Sequence, residues 1–199
     1  MKILVGANNE NKFAQYIRVF SKYMPEVEVF SLTDFQISDD IDENADSLEE
    51  NAKDKAKFYG DKAGVTTVSD DTGLFVDALD GAPGLHAKRW HDGTELDRCR
   101  KILERLRGLP LEKRSACYDS VLAIYNPKSG KFWTFPSKIE GWIVDEFKGG
   151  NGFGYDSIFL TKDYPGKHYA ELTTEQIDAI NHRGKGLKKF AEFIKNNNF

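Results

Sequence analysis

The sequence predicts an α/β domain with a mixed, mainly central sheet, and three observations carry that prediction. Short apolar runs of strand character alternate with segments of helical spacing through the first half of the chain. From residue 115 a β-rich stretch takes over, broken by a hairpin turn. The 199 residues, 40% of them apolar, suffice for one packed core. Domains usually span ~100–200 residues, and one of this size hides roughly 70% of its unfolded surface. A single domain over 1–199 is expected.

The elements follow in order. KILVG at 2–6 reads as a buried strand, and the polar run ANNENK at 7–12 comes directly after it. Phe13, Ile17, Phe20 and Met24 then recur at helical spacing. EVEVFSL at 26–32 alternates Val27 and Val29 with acids, the period of a half-buried strand. Residues 33–46 are acidic without apolar periodicity, hence a loop. Ala52, Ala56, Tyr59 and Ala63 mark one face of a helix that starts at Leu48 and ends near Gly64. VTTVS at 65–69 is a strand that closes on Asp70-Asp71, and LFVDAL at 74–79 is a second short extended piece. GAPGLHAKRWHDG at 81–93 is turn-rich. Leu96, Cys99, Ile102, Leu103 and Leu106 mark a helix stopped by Gly108 and Pro110. SACYDSVLAIYN and KFWTFPSKIEGWIVDEF hold three strands' worth of residues, with NPKSGK as the turn between the first two. The glycine-rich KGGNGFGYD leads into the strand SIFL. Thr173 and Gln176 form a capping box for a helix through Asn181. Leu187, Phe190, Ala191 and Ile194 share one face of a last helix.

Bulk properties exclude several classes. The net charge is −4 with 30% charged residues of both signs, so no basic excess exists to neutralise a nucleic acid. A polyanion binding here would rely on local lysines, backbone amides and a metal. Cys99 and Cys117 lack metal-site spacing, and two free thiols suit a reducing compartment. No apolar run approaches a membrane span or a signal peptide. A cytoplasmic protein without membrane or nucleic-acid partners is expected.

Four polar clusters fall in loops or at element ends, where functional groups concentrate. Ala7-Asn8-Asn9-Glu10-Asn11-Lys12 opens a helix. Its amides and Lys12 suit a phosphate, and an ordinary Asn-capped helix start suits it as well. Glu43 precedes the helix segment ENAKDKA, in which Lys53 has Glu49 four residues before it while Lys55 has Asn51. Lys55 is thus the lysine available to a ligand, although a solvated lysine explains it too. In Asp70-Asp71-Thr72-Gly73, adjacent side chains on a strand point to opposite faces, so one carboxylate can face a site while the other braces the loop. Carboxylates are hard ligands for Mg²⁺, and an Asx turn with Gly at positive φ is the plainer reading. The fourth cluster joins the loop holding Phe153, Gly154, Tyr155 and Asp156 to His182-Arg183. It offers ring faces for stacking and donors for a carbonyl.

Taken together, ANNENK, Glu43 with ENAKDKA, DDTGL, GAPG, GFGYD and HR stand in the order and spacing of one family. From residue 7 to 183 the chain resembles the inosine triphosphate pyrophosphatases, which convert non-standard purine nucleoside triphosphates to the monophosphate and pyrophosphate. The resemblance implies an elongated α/β fold with a mixed sheet and two lobes flanking a nucleotide-binding cleft, usually as a homodimer. It implies Asp71 as proton acceptor and Mg²⁺ ligand, Glu43 as a second ligand, and Asp70 as a supporting carboxylate of the metal site. Residues 7–12, Lys55 and Thr72 would bind phosphates and sugar. Phe153 to Asp156 would wall the base, and His182 and Arg183 would read its 6-keto oxygen. A donor-lined pocket disfavours adenine, whose amine leaves buried donors unpaired.

The chain departs from the family pattern at several positions. Ala7 stands for Thr or Ser, Ser157 for Pro, Asn181 for Ser, and Ile177 for a lysine five residues before the histidine. The S-A-R-Y segment reads Ala87-Lys88-Arg89-Trp90. Ala7 and Ile177 motivate two alternatives, a nucleotide-binding sensor without turnover and a pyrophosphatase with shifted base preference. The metal and proton-acceptor positions are kept.

Overall fold

The computed structural model describes residues 1–149 and 154–196. Besides short 3-10 turns, seven strands and five α-helices are assigned among the described residues: β1 (Lys2–Val5), α1 (Glu10–Tyr23), β2 (Glu28–Phe30), α2 (Leu48–Ala63), β3 (Thr66–Val76), β4 (Pro83–Gly84), α3 (Glu95–Arg105), β5 (Ser115–Asn126), β6 (Lys131–Ile143), β7 (Phe159–Thr161), α4 (Thr174–Ile180) and α5 (His182–Asn196). The strands pair in the order β2-β1-β3-β5-β6-β7, with β4 added to β3. β1 runs parallel to β2 and β3, while β4 on β3 and β7 on β6 are antiparallel. The sheet is therefore mixed, as the sequence predicts.

The chain divides into two compact units. One comprises Met1–Asp71, Ser120–Ser137 and the segment from Asn181 onward; the other comprises Thr72–Asp119 and Lys138–Ile180. In the first, β1 is apolar from Ile3 to Val5 because both faces of that stretch are covered. Ile3 and Val5 join Tyr16, Val19 and Phe20 of α1 and Leu187 and Phe190 of α5. Leu4 points the other way, to Tyr59 of α2 and to Leu32. Ser47 caps the start of α2, and Gly64 at φ 69° closes it in the left-handed conformation, where Gly carries no Cβ penalty. In the second unit Cys99, Ile102 and Leu106 form the buried stripe of α3, packed with Leu74, Val76, Ile139, Ile143 and Phe159. Leu96, counted on that stripe from its spacing, is exposed instead.

Two expectations change. The chain does not end a strand at the aspartate pair: β3 runs unbroken from Thr66 through DDTG to Val76. Gly73 is not a turn residue. A Cβ there would lie 2.7 Å from the carbonyl oxygen of Gly84 on the paired strand, so the glycine permits a close backbone approach within the second unit. Likewise the β-rich segment after residue 115 forms two long strands, β5 and β6, rather than three, because β6 continues through Pro136. The capping box before α4 is present, with Thr173 N–H donating to Gln176 Oε1 at 3.0 Å and Gln176 N–H to Thr173 Oγ1 at 3.3 Å.

Candidate active site

Strand alternation separates the aspartate pair. Val68 packs with α1 and α5, and Asp70, two residues on, projects the same way. Asp71 projects toward α2. The two carboxylates thus enter different surroundings although they are neighbours in sequence.

Asp70 is buried, with its side chain 1% exposed, and it accepts hydrogen bonds from four side chains. Tyr16 Oη donates to Oδ1 at 2.6 Å, and Arg183 Nε donates to the same oxygen at 3.1 Å. Arg183 Nη2 at 2.9 Å, Lys12 Nζ at 3.1 Å and His182 Nε2 at 3.1 Å converge on Oδ2. Since a carboxylate only accepts, His182 carries its proton on Nε2. Burial opposes the charge on Asp70, but Arg183, Lys12 and His182 outweigh it and hold its pKa well below the usual range. Burial and the adjacent Arg183 lower the pKa of His182 to about 4, so it is neutral at pH 7. Burial raises the Tyr16 hydroxyl well above its ordinary value, with Asp70 adding to the effect. Lys12 is lowered by burial, against the pull of Asp70.

Asp71 belongs to a second cluster. Lys55 Nζ donates to Glu43 Oε1 at 2.6 Å and to Asp71 Oδ1 at 3.2 Å. The Asn51 amide donates to Asp71 Oδ2 at 3.1 Å, and its own Oδ1 takes the Ala45 N–H at 3.0 Å. Asn51 and Lys55 are four residues apart on α2 and therefore share a face. Lys53 pairs with Glu49, as its spacing predicts. Burial and the nearby Glu43 raise the pKa of Asp71, against Lys55 and Asn51. Burial disfavours the charge on Lys55, yet Asp71 and Glu43 prevail and raise its pKa.

Glu43 and Asp71 already share one cation, so their oxygens fit the hard, oxygen-seeking Mg²⁺. No group of three or more His, Cys, Asp or Glu side chains placed to hold a metal occurs among the described residues. A metal here would complete its shell with phosphate oxygens and water, as Mg²⁺ commonly does. Asp70, its oxygens engaged by four donors, stands apart from that pair.

The remaining expected residues are placed as follows. Asn9 caps α1, accepting the Lys12 N–H at 3.0 Å, so the plain helix-start reading of ANNENK is realised. Asn8, Asn9, Glu10 and Asn11 are exposed. The Asn8 amide reaches the Tyr59 hydroxyl at 3.4 Å, and Ala7 packs on the apolar core. Thr72, Gly154, Tyr155 and Asp156 belong to the second unit. Phe153 lies outside the described residues. His182 and Arg183 open α5, and Asp70 sets the position of both. Asn181 caps them, its Oδ1 accepting the Gly184 N–H at 2.6 Å. Ile177, standing where the family pattern has lysine, packs on the second unit's core. Trp90 lies under the Arg105 guanidinium, 5.0 Å from it.

Tyr16, Gln15 and Asn51 escaped the sequence reading. Gln15 accepts from Arg183 Nη1 at 2.6 Å. The available signal was helical spacing: Tyr16 lies four residues after Lys12, and Asn51 four before Lys55.

This mixed sheet is that of the inosine triphosphate pyrophosphatase fold, a class of α/β proteins. Within it the chain belongs to the Ham1 family, whose model matches residues 3–193. It is 40% identical over 196 residues to a dITP/XTP pyrophosphatase of Thermoanaerobacter sp., covering 98% of this chain and 96% of that one. A dITP/XTP pyrophosphatase of Caldanaerobacter subterraneus is 41% identical over 198 residues, with 98% and 96% covered. The solved structure of a HAM1 protein from Coxiella burnetii superposes with a TM-score of 0.86 at 30% identity, covering 99% of this chain and all of that one.

Proposed function

We propose that this chain is a nucleoside triphosphate pyrophosphatase that hydrolyses ITP, dITP and XTP to the monophosphate and pyrophosphate, with Mg²⁺ as cofactor. The observation that carries the reading is the convergence of Glu43 and Asp71 on Lys55. This group, buried at Lys55 and Asp71, has one cation for phosphate oxygens, a carboxylate pair for a metal and a base of raised pKa. The names of the curated relatives favour the same activity.

In the proposed reaction, Lys12 and Lys55 supply positive charge to the triphosphate. Asp71 accepts a proton from the attacking water, and the water oxygen bonds to the α-phosphorus as its bond to the bridging oxygen breaks. Pyrophosphate leaves. Before any metal binds, burial and Glu43 raise the pKa of Asp71, which favours proton acceptance by its carboxylate. Asn51 holds its Oδ2, which orients the carboxylate. Mg²⁺, held by Glu43 and Asp71, would neutralise phosphate charge. His182 and Arg183 would address the 6-keto oxygen from positions set by Asp70, and Gly154 to Asp156, with Phe153, would line the base. The enzyme would work as a cytoplasmic homodimer. No described helix is long and apolar enough to cross a membrane.

A screen of ITP, dITP, XTP, GTP, ATP and dUTP for pyrophosphate release, with and without Mg²⁺, tests the reading. Release from the deaminated purines in Mg²⁺ is expected, with ATP far slower. Absence of pyrophosphate from every purine triphosphate would sink it, and saturable binding without release would point to a sensor. Preference for dUTP would point to a shifted base specificity.

A further inference from the structure

Three consecutive residues of the second unit, Gly154 to Asp156, are each fastened by a different element. Cys99 of α3 donates from Sγ to the Gly154 carbonyl at 3.3 Å. The Tyr155 hydroxyl donates to the Ala87 carbonyl at 2.7 Å. Tyr118 of β5 donates to Asp156 Oδ1 at 2.8 Å. Of these, only the third reaches a carboxylate, and charge-assisted hydrogen bonds are roughly twice as strong as neutral ones. Tyr118 is itself held in place by rings, 4.8 Å from Phe159 and 6.0 Å from Tyr169 between centroids. Asp156 is buried, so loss of the phenol would leave it with one donor fewer in a place where water cannot readily substitute. Burial and Asp156 keep the Tyr118 hydroxyl protonated well above its usual pKa, and it remains a donor throughout the working range.

We infer that Tyr118 is a positioning residue for purine binding: its hydroxyl fixes Asp156, and through it the segment that meets the base. A segment ordered before binding spares the complex the entropy of ordering it afterwards. The inference rests on the proposed function for the identity of that segment, but it concerns affinity for the base rather than turnover.

Calorimetric titration of IMP and of inorganic pyrophosphate into wild type, Tyr118→Phe and Tyr125→Phe provides the test. Phenylalanine keeps the ring packing and removes only the hydroxyl. Tyr125 donates to Asp61 at 2.8 Å in the first unit, so its variant removes a bond of the same kind elsewhere. Tyr118→Phe should lose roughly tenfold in IMP affinity, within the range of one hydrogen bond to a charged group. Its pyrophosphate affinity, which involves no base, should stay within about twofold by the same reasoning, and Tyr125→Phe should keep both. An unchanged IMP affinity in Tyr118→Phe overturns the inference. Equal losses for IMP and pyrophosphate overturn it too, because the hydroxyl would then serve the fold as a whole. Wild type that binds IMP but releases no pyrophosphate from ITP sinks the functional reading and leaves the inference standing if Tyr118→Phe still loses IMP selectively. Wild type that does not bind IMP overturns the inference, while the functional reading stands or falls with pyrophosphate release from ITP.

Discussion

Replacing each aspartate of the pair by asparagine separates the two roles that strand alternation assigns them. In Asp70→Asn the side chain keeps its shape, but one oxygen becomes an NH₂ group. If that group replaces Oδ2 it meets Lys12, His182 and Arg183 Nη2; if it replaces Oδ1 it meets Tyr16 and Arg183 Nε. In the first case Lys12 and Arg183 Nη2 face a donor; in the second Arg183 Nε does, since the Tyr16 hydroxyl can turn to accept. Either way the buried Arg183 and the half-buried Lys12 lose their shared counter-charge. Removing one partner of a buried ion pair costs about 3–5 kcal/mol, a large part of the ~5–15 kcal/mol that holds a domain folded. Asp71→Asn differs. Lys55 retains Glu43 at 2.6 Å, and the raised pKa of Asp71 means that its ionised form is disfavoured by the fold. Neutralising it should therefore cost far less stability than neutralising Asp70. Urea unfolding followed by circular dichroism measures both, beside pyrophosphate release from ITP. The expected result is an Asp70 variant that loses stability and an Asp71 variant that stays folded and loses turnover. An Asp70→Asn variant as stable as wild type would refute the reasoning.

Acid should weaken the same cluster through His182. Its folded pKa of about 4 lies below its ordinary 6.5, so the unfolded chain binds the proton more readily and stability declines as pH falls from about 6.5 toward 4. The full shift corresponds to a loss on the order of 3 kcal/mol, and unfolding curves at pH 7, 5.5 and 4.5 should show a steeper decline in wild type than in His182→Gln. Gly73→Ala should cost about 1–3 kcal/mol by overpacking, because its Cβ would meet the Gly84 carbonyl oxygen and the Phe75 ring, each at 2.7 Å. A thermal melt indistinguishable from wild type would show that β3 and β4 separate without penalty.

The helices and most strands were legible because their signals are local. Apolar spacing placed α1, α2 and α5, Gly64 ended α2, and Thr173 with Gln176 began α4. The break assigned between VTTVS and LFVDAL was not real, since a Thr-Gly pair carries the same local preference at a turn and at a point of close strand contact. Only the carbonyl of Gly84 distinguishes the two. The same limit merged three expected strands into β5 and β6.

By itself the sequence determined the helices and most strands, the short polar motifs that mark the site and, from the order of those motifs between residues 7 and 183, the family. Each motif is a local pattern. Tertiary structure decided what each carboxylate does. The donors to Asp70 lie 54, 58, 112 and 113 positions from it, distances at which no spacing rule operates, and Lys55 joins Glu43 to Asp71. Strand alternation turns the two aspartates to opposite faces, but the helices packed on those faces give one an arginine and a histidine and the other a lysine and an asparagine. That packing makes Asp70 a buried anchor and leaves Asp71 the more basic carboxylate.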